Sequence, residues 1–330
     1  MTHGADVSTS EEVSLFAIVH LRGEMVFAKD ALGHRERVTI GGIDGVLETP
    51  SPPNLADSPD NAFRTDALVA PEAARSWERS DDPFFWGQQV TPAGSARPEA
   101  SLIEFRVAAS NLRNHSTSVS QSFSNWYSTF VDFHDLLTKK PIRRGPLGST
   151  YSEEHELFVW GDDNQKVRPY DSGPIRLYSP LSSDQDALSR ENLSEICRLC
   201  SLGSKPSLHY RVQLQAYRAL REQDYRKAVI ESAVAAEIVL TEVIGKYFQS
   251  TGLSYGDKIM EKFRTLGGRL KLAEVVGLSL PDIDFQKAVV DPRNQAIHRA
   301  KFFERSDASS VVRAVDQLLQ MLSPRRDEQL

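Results

Sequence analysis

The stretch Tyr225-Arg-Lys-Ala-Val-Ile-Glu-Ser-Ala-Val-Ala-Ala-Glu-Ile-Val-Leu-Thr-Glu-Val-Ile-Gly-Lys-Tyr-Phe248 decides how the C-terminal third of this chain folds. Val229, Ala233, Ala236, Leu240, Val243 and Tyr247 recur every three or four residues, the spacing of one face of an α-helix. Asp224 stands directly before the run, where a short acidic side chain can accept from the free N–H groups of the first turn. Thr251 to Ser254 ends it. Glu231, Glu237 and Glu242 break the apolar run from Ala228 to Ile244, so it reads as a core helix and not as a membrane span.

Helical patterning continues on both sides. Val212, Leu214, Tyr217, Ala219 and Leu220 predict a helix from Leu208, and Gly256 to Val276 a more polar helical region interrupted at Gly267-Gly268. Asp282 to Phe303 reads as helical with a break or kink at Pro292. Asp307 to Leu322 closes the set through Val311, Val315, Leu318, Leu319 and Leu322. The expectation is a bundle of about four main helices and a short insert over 205–323, followed by a polar tail, 324–330.

The first 204 residues are patterned differently. Val13, Leu15, Ala17, Val19 and Leu21 alternate, Met25-Val26-Phe27 follows Gly23, and Val38 to Leu47 is punctuated by Gly41-Gly42 and Gly45, all of which predicts short antiparallel strands. Leu102 to Ala108 and Glu156 to Trp160 read as further strands. Gly161-Asp162-Asp163-Asn164 suggests a hairpin, and Ile175 to Tyr178 another strand. Trp126, Phe130, Phe133 and Leu137 mark one amphipathic helix within Phe123–Leu137. Between about 49 and 100 lie eight of the seventeen prolines with much Ala, Ser and Asp, which predicts a long loop anchored by Phe84-Phe85-Trp86. The fold class expected is therefore α+β, a mixed, mainly β domain over 1–204 followed by an all-α bundle.

Charge divides at the same place. Lys205 to Leu330 carries 20 Lys+Arg and 16 Asp+Glu, a net of +4; the preceding residues carry 19 and 29, a net of −10, and together these give the −6 of the chain. A mildly basic C-terminal part suits a polyanionic partner, whereas the acidic remainder argues against a chain that coats nucleic acid with its whole surface. The N-terminus shows no secretory pattern, and the protein is expected to be cytoplasmic. The two cysteines, Cys197 and Cys200, lack further ligands at zinc spacing and read as buried thiols. The basic turn Lys139 to Gly145 reads as solvated.

The chemistry-bearing segment is Asp291-Pro292-Arg293-Asn294-Gln295-Ala296-Ile297-His298. Arginine brings a permanent charge with a planar donor fork, and histidine a proton shuttle near neutral pH. Asn294 and His298 are four apart and share a helix face, with Arg293 about 140° round from His298. With Asp291 as N-cap and Pro292 at the first helical position, Arg293 falls in a first turn whose free N–H groups add to an anion site. In the alternative, a continuous helix kinks at Pro292. Glu237 lies at the border of the Ala233, Ala236 and Leu240 stripe and needs solvent or a partner, for which Arg293 is the candidate.

Arg293-Asn294-x-x-x-His298, after a long alanine-rich helix carrying Glu237 and before a final helix, resembles the HEPN domain over roughly Ser207 to Leu322. The resemblance implies a metal-independent endoribonuclease without a cofactor, acting as a homodimer whose two motifs form one composite site. It implies Arg293, Asn294 and His298 as catalytic residues with Glu237 in support. It also implies roles in toxin–antitoxin or phage-defence systems, with RNA as substrate and an antitoxin or a trigger molecule as further partners, the N-terminal domain restraining or triggering the nuclease. Cleavage by the RNA's own 2′-OH requires a proton acceptor, suited to His298, and stabilisation of phosphoryl charge, suited to Arg293. The competing reading is a non-catalytic HEPN module for dimerisation or RNA binding beside a ligand-sensing β domain.

Overall fold

An alternating run pairs as a strand when its neighbours bury both of its faces, and residues Leu15–Val19 are buried without interruption. They form the middle of β1 (Glu12–His20), a central strand of a six-stranded antiparallel sheet. The computed structural model describes residues 11–21, 25–52, 67–75, 86–89, 95–138, 155–160, 166–167, 187–299 and 301–324. They divide into two compact units, one reaching Lys205 and the other running from Pro206. The architecture is mixed α+β, the sheet in the first unit and a set of helices in the second.

In the first unit, β2 (Arg35–Ile40) and β3 (Ile43–Glu48) form a hairpin through Gly41-Gly42. Both glycines take positive φ, as a two-residue turn that matches strand twist requires. Helix α1 (Glu72–Arg75) and the paired strands β4 (Gly87–Gln89) and β5 (Ala96–Pro98) follow. β6 (Ala100–Ala108), α2 (Leu112–Thr138), β7 (His155–Trp160), β8 (Lys166–Val167) and α3 (Arg190–Ser201) complete it. The sheet order is β2-β3-β6-β1-β7-β8. Register places Phe16 opposite Phe158, and their rings stack at 5.3 Å. Glu36 on β2 accepts from Ser194 and contacts His34, tying the sheet edge to α3.

Two expectations for this unit change. The Pro-rich stretch is not a plain loop: its described parts hold α1 and the β4–β5 pair, with Ser51 bridged to Val69 and Ala67 to Gln88. Trp86 is buried there, while Phe84 and Phe85 lie outside the described residues. The predicted helix extends well beyond Phe123–Leu137, because Val119 and Ser116 continue the buried face one and two turns upstream. This 27-residue helix and α3 accompany the sheet in the first unit. Strand β7 pairs antiparallel with β8 at Lys166–Val167, a partner the sequence pattern did not single out. The 139–145 turn and the 175–178 strand fall outside the described residues. Cys197 and Cys200 are buried on α3, and burial pushes both thiols up, away from the reactive thiolate.

The second unit packs around one helix. α4 (Leu208–Arg221) runs into α5 (Tyr225–Ser250), followed by α6 (Gly256–Lys262) and α7 (Leu266–Val275). A π-helical turn (Gln286–Val290) then passes directly into α8 (Asp291–His298), and α9 (Arg305–Leu322) closes the unit. α4, α6, α7, α8 and α9 all pack on α5. That is why α5 is buried on more than one face, at Ala228, Ser232, Ala235 and Val239 as well as at Val229, Ala233, Ala236 and Leu240. Beyond Leu240 the buried row continues through Ile244 and Phe248, not Val243 and Tyr247 as the periodicity suggested; Tyr247 is about one-third exposed. The third helical region breaks at Phe263 to Thr265, and Gly267-Gly268 lie in the first turn of α7, where Thr265 caps the Gly268 N–H.

Polar side chains fasten α4 to its neighbours. Buried His209 meets Glu242 Oε2 through Nδ1 at 2.9 Å, and Gln213 Nε2 donates to Val312 O and Asp316 Oδ1. Tyr217 donates to the same Asp316 carboxylate, and Tyr210 Oη donates to Ser323 O at 2.6 Å. Asp224 caps α5 as its sequence position predicts, accepting from Lys227 N at 3.0 Å. The turn before it closes α4 with Asp224 N–H on Ala219 O and Gln223 N–H on Leu220 O, which forces Gln223 to φ 63°. Two substitutions at this turn are expected to act in opposite directions. Asp224→Ala should lower the unfolding free energy by about 1 kcal/mol, and Gln223→Gly should raise it by about 0.5–1 kcal/mol; urea denaturation followed by circular dichroism measures both.

Candidate functional site

Pro292 determines how the chemistry-bearing segment is built. An α-helical residue at 292 would donate its N–H to the carbonyl of Ala288, but proline has no N–H and its ring crowds that carbonyl. The chain answers with the π turn over Gln286–Val290, in which Asp291 N–H donates to Gln286 O, five residues back. The wider turn also brings the side chains at 286 and 291 together, and Gln286 Nε2 donates to Asp291 Oδ1 at 2.7 Å.

This corrects the N-cap expected at Asp291. Val290 and Asp291 both have helical backbone angles, so the helix is continuous through Pro292, as in the alternative weighed above, and no free helix N-terminus faces Arg293. The cap lies further back at Asp284, whose Oδ1 accepts from Lys287 N at 3.2 Å. That backbone bond, reinforced by the Lys287 side chain, lowers the carboxyl below its usual range.

The phase set by the π turn sorts the motif into two rows. Val289, Arg293 and Ala296 follow one another at helical spacing on the inward side; Val289 and Ala296 are buried and Arg293 is half-buried. Val290, Asn294 and His298 form the adjacent row, which leads from a buried valine out to two exposed polar side chains. Arg293 Nη1 donates to Asn294 Oδ1 at 3.2 Å, so the guanidinium is held at the boundary between the rows. His298 is the last residue of α8, and neither of its ring nitrogens has a hydrogen bond or ion pair to a described residue. Its imidazole is open to a ligand.

The end of α8 is tied down by residues that the sequence pattern did not single out. Arg226, in the first turn of α5, donates through Nε to Ala296 O at 2.8 Å, placing a cation against the carbonyl end of α8. The chain then folds back: Arg299 and Lys301 N–H groups both reach Gln295 O, and Lys301 Nζ donates to Gln295 Oε1 at 2.9 Å. Arg226 and Lys301 thus bond to residues in the last two turns of α8, which also carries Arg293 and is followed directly by Arg299. The only sequence signal for Arg226 was a cation beside the Asp224 cap, which names no target across the bundle.

Glu237 does not join them. The Glu237–Arg293 ion pair expected from the sequence is not formed: Arg293 turns to Asn294, and half-buried Glu237 has no side-chain partner among the described residues. Geometry explains this. The contact at Arg226 holds the end of α8 against the first turn of α5, eleven residues and about 16 Å of helix from Glu237. No group of three or more His, Cys, Asp or Glu side chains is arranged to hold a metal ion among the described residues. No described helix is long and apolar enough to cross a membrane.

No family model, no curated protein and no solved structure matches this chain. Replacing Arg226 with Ala should fray the end of α8 and leave α9 intact. Amide exchange at Arg299 and Lys301, both bonded to Gln295 O, is expected to accelerate more than at Val311 or Val315; equal acceleration in both places would show a global effect.

Proposed function

We propose that this protein is a metal-independent endoribonuclease of the HEPN type, with Arg293, Asn294 and His298 as its reacting side chains. The observation that supports this is the presentation of the three on α8. A half-buried arginine is held by Asn294, one row over from an exposed histidine free to exchange a proton. In this reading His298 removes the proton of a 2′-OH, whose oxygen attacks the adjacent phosphorus and displaces the 5′-oxygen. Arg293 offsets the charge that gathers on the phosphoryl oxygens. Asn294 fixes the Arg293 fork and can donate its amide N–H to a phosphate oxygen. Arg226, Arg299 and Lys301 draw the polyanion toward the end of α8.

One chain offers one such set, and in this proposal two chains bring their α8 helices together to complete the site. A binding-only module has no need of an unengaged imidazole beside a fixed arginine, which favours the catalytic reading over the non-catalytic one. A role in toxin–antitoxin or antiviral defence systems, with the first unit sensing the trigger, belongs to the same proposal.

The test is cleavage of a mixed RNA pool in EDTA by the full chain. His298→Ala is expected to slow cleavage by about 10²–10⁴-fold, and Arg293→Ala by about 10²–10³-fold. Sedimentation should show twice the monomer mass. Equal rates in all three proteins, or no cleavage by the unaltered chain at any concentration, would contradict the proposal.

A further inference from the structure

Phe302 is 98 % exposed, an aromatic ring standing wholly in water four residues after His298. Its neighbours are fixed. Phe303 is buried at 7 % exposure and anchors the segment, and Lys301 lies with its ammonium 5.5 Å from the Phe303 ring centroid and 2.9 Å from Gln295 Oε1. Lys301 is therefore held by Phe303 and Gln295 and leaves the Phe302 ring uncovered. Arg299 and Arg305 are exposed on either side, against the single acid Glu304. Four residues of chain span at most about 14 Å, so the ring lies within a nucleotide or two of anything bound at His298.

Two occupants could cover such a ring. A second protein copy would bury it in an interface core, where lysine is depleted and where a stable contact needs about 800 Å² from each partner. A phenylalanine between arginines and a lysine, with the partly exposed Ile297 as the other large apolar side chain at this end of α8, fits that poorly. A single-stranded polyanion fits it well, because each unpaired base presents a π-face to stack while its phosphate meets a neighbouring cation. A duplex hides those faces in its own stack.

We infer that Phe302 is the stacking platform for an unpaired base flanking the scissile phosphate. This rests on the reading of α8 as a ribonuclease site, and it assigns Phe302 a positioning role.

The experiment uses the full chain, EDTA and a fluorescein-labelled 2′-O-methyl 12-mer of mixed sequence, which has no free 2′-OH, either alone or annealed to its complement. Anisotropy titration of the unaltered protein should show tighter binding to the single strand than to the duplex. Phe302→Ala should weaken single-strand binding by about fivefold to a hundredfold and leave duplex binding unchanged. Phe302→Trp should restore single-strand binding, with quenching of indole emission beyond that of the chain's own four tryptophans. Cleavage of unmodified RNA by His298→Ala is read separately: undiminished cleavage would contradict the nuclease reading, whereas the oligonucleotide, which has no free 2′-OH, reports on the platform alone. Unchanged single-strand binding by Phe302→Ala, or equal loss for single strand and duplex, would overturn the inference. So would a fall in sedimenting mass for Phe302→Ala at unchanged oligonucleotide affinity, which would assign the ring to a second copy of the chain.

Discussion

The missing N–H of Pro292 shapes the site more than any contact made by a charged side chain. A proline inside a helix ordinarily kinks it by about 3 kcal/mol of lost bonding and ring crowding. Here one π turn absorbs the defect and the helix continues, with Asp291 N–H on Gln286 O and Gln286 Nε2 on Asp291 Oδ1. Had the chain broken at Asp291 instead, Arg293 would sit in a first turn with free N–H groups around it. The continuous helix gives a different device: an inward row that half-buries Arg293 between Val289 and Ala296, and an outward row that ends on His298.

Burial of α5 makes this placement stable. Its alanines at 228, 233, 235 and 236 let neighbouring helices approach closely, and five of them pack against it. α8 is joined to its first turn by the Arg226–Ala296 bond, which orders the last turn of α8 without using His298. The result is a rigid end to the helix with the histidine left uncommitted, the combination that a proton-transfer group on a protein surface requires. Residues 205–330 carry a net positive charge, and Arg226 and Lys301 bond to Ala296 and Gln295 of α8, the helix that carries Arg293 and leads into Arg299.

Much of the framework is legible in the sequence. The α5 row as far as Leu240, the α9 row from Val311 to Leu319, the Asp224 cap, the Gly41-Gly42 turn and the strand at Leu102 all follow from local periodicity and turn chemistry, and they appear where those rules put them. What escaped the sequence was settled by partners distant in the chain. Pairing of Gln88 with Arg97 turns a proline-rich stretch into strands, and periodicity carries no record of that pairing. The drift of the α5 row to Ile244 and Phe248 follows from several helices packing on it at once. At the site, Arg293, Asn294 and His298 were visible as a spacing. The π turn, the cap at Asp284, the Arg226 contact and the absence of a Glu237–Arg293 pair were not, because each depends on how far round and along two helices a side chain falls.

If α8 uses an RNA's own 2′-OH as nucleophile through His298, the chemistry leaves a signature on the product. The most direct measurement is the mass of the 3′ ends produced in EDTA from an oligonucleotide that is 2′-deoxy at every position but one. The account predicts a single cut, after the lone ribonucleotide, leaving a 2′,3′-cyclic phosphate, with no such product from His298→Ala. Cutting at deoxy positions, 3′-hydroxyl ends, or the same product from His298→Ala would contradict it.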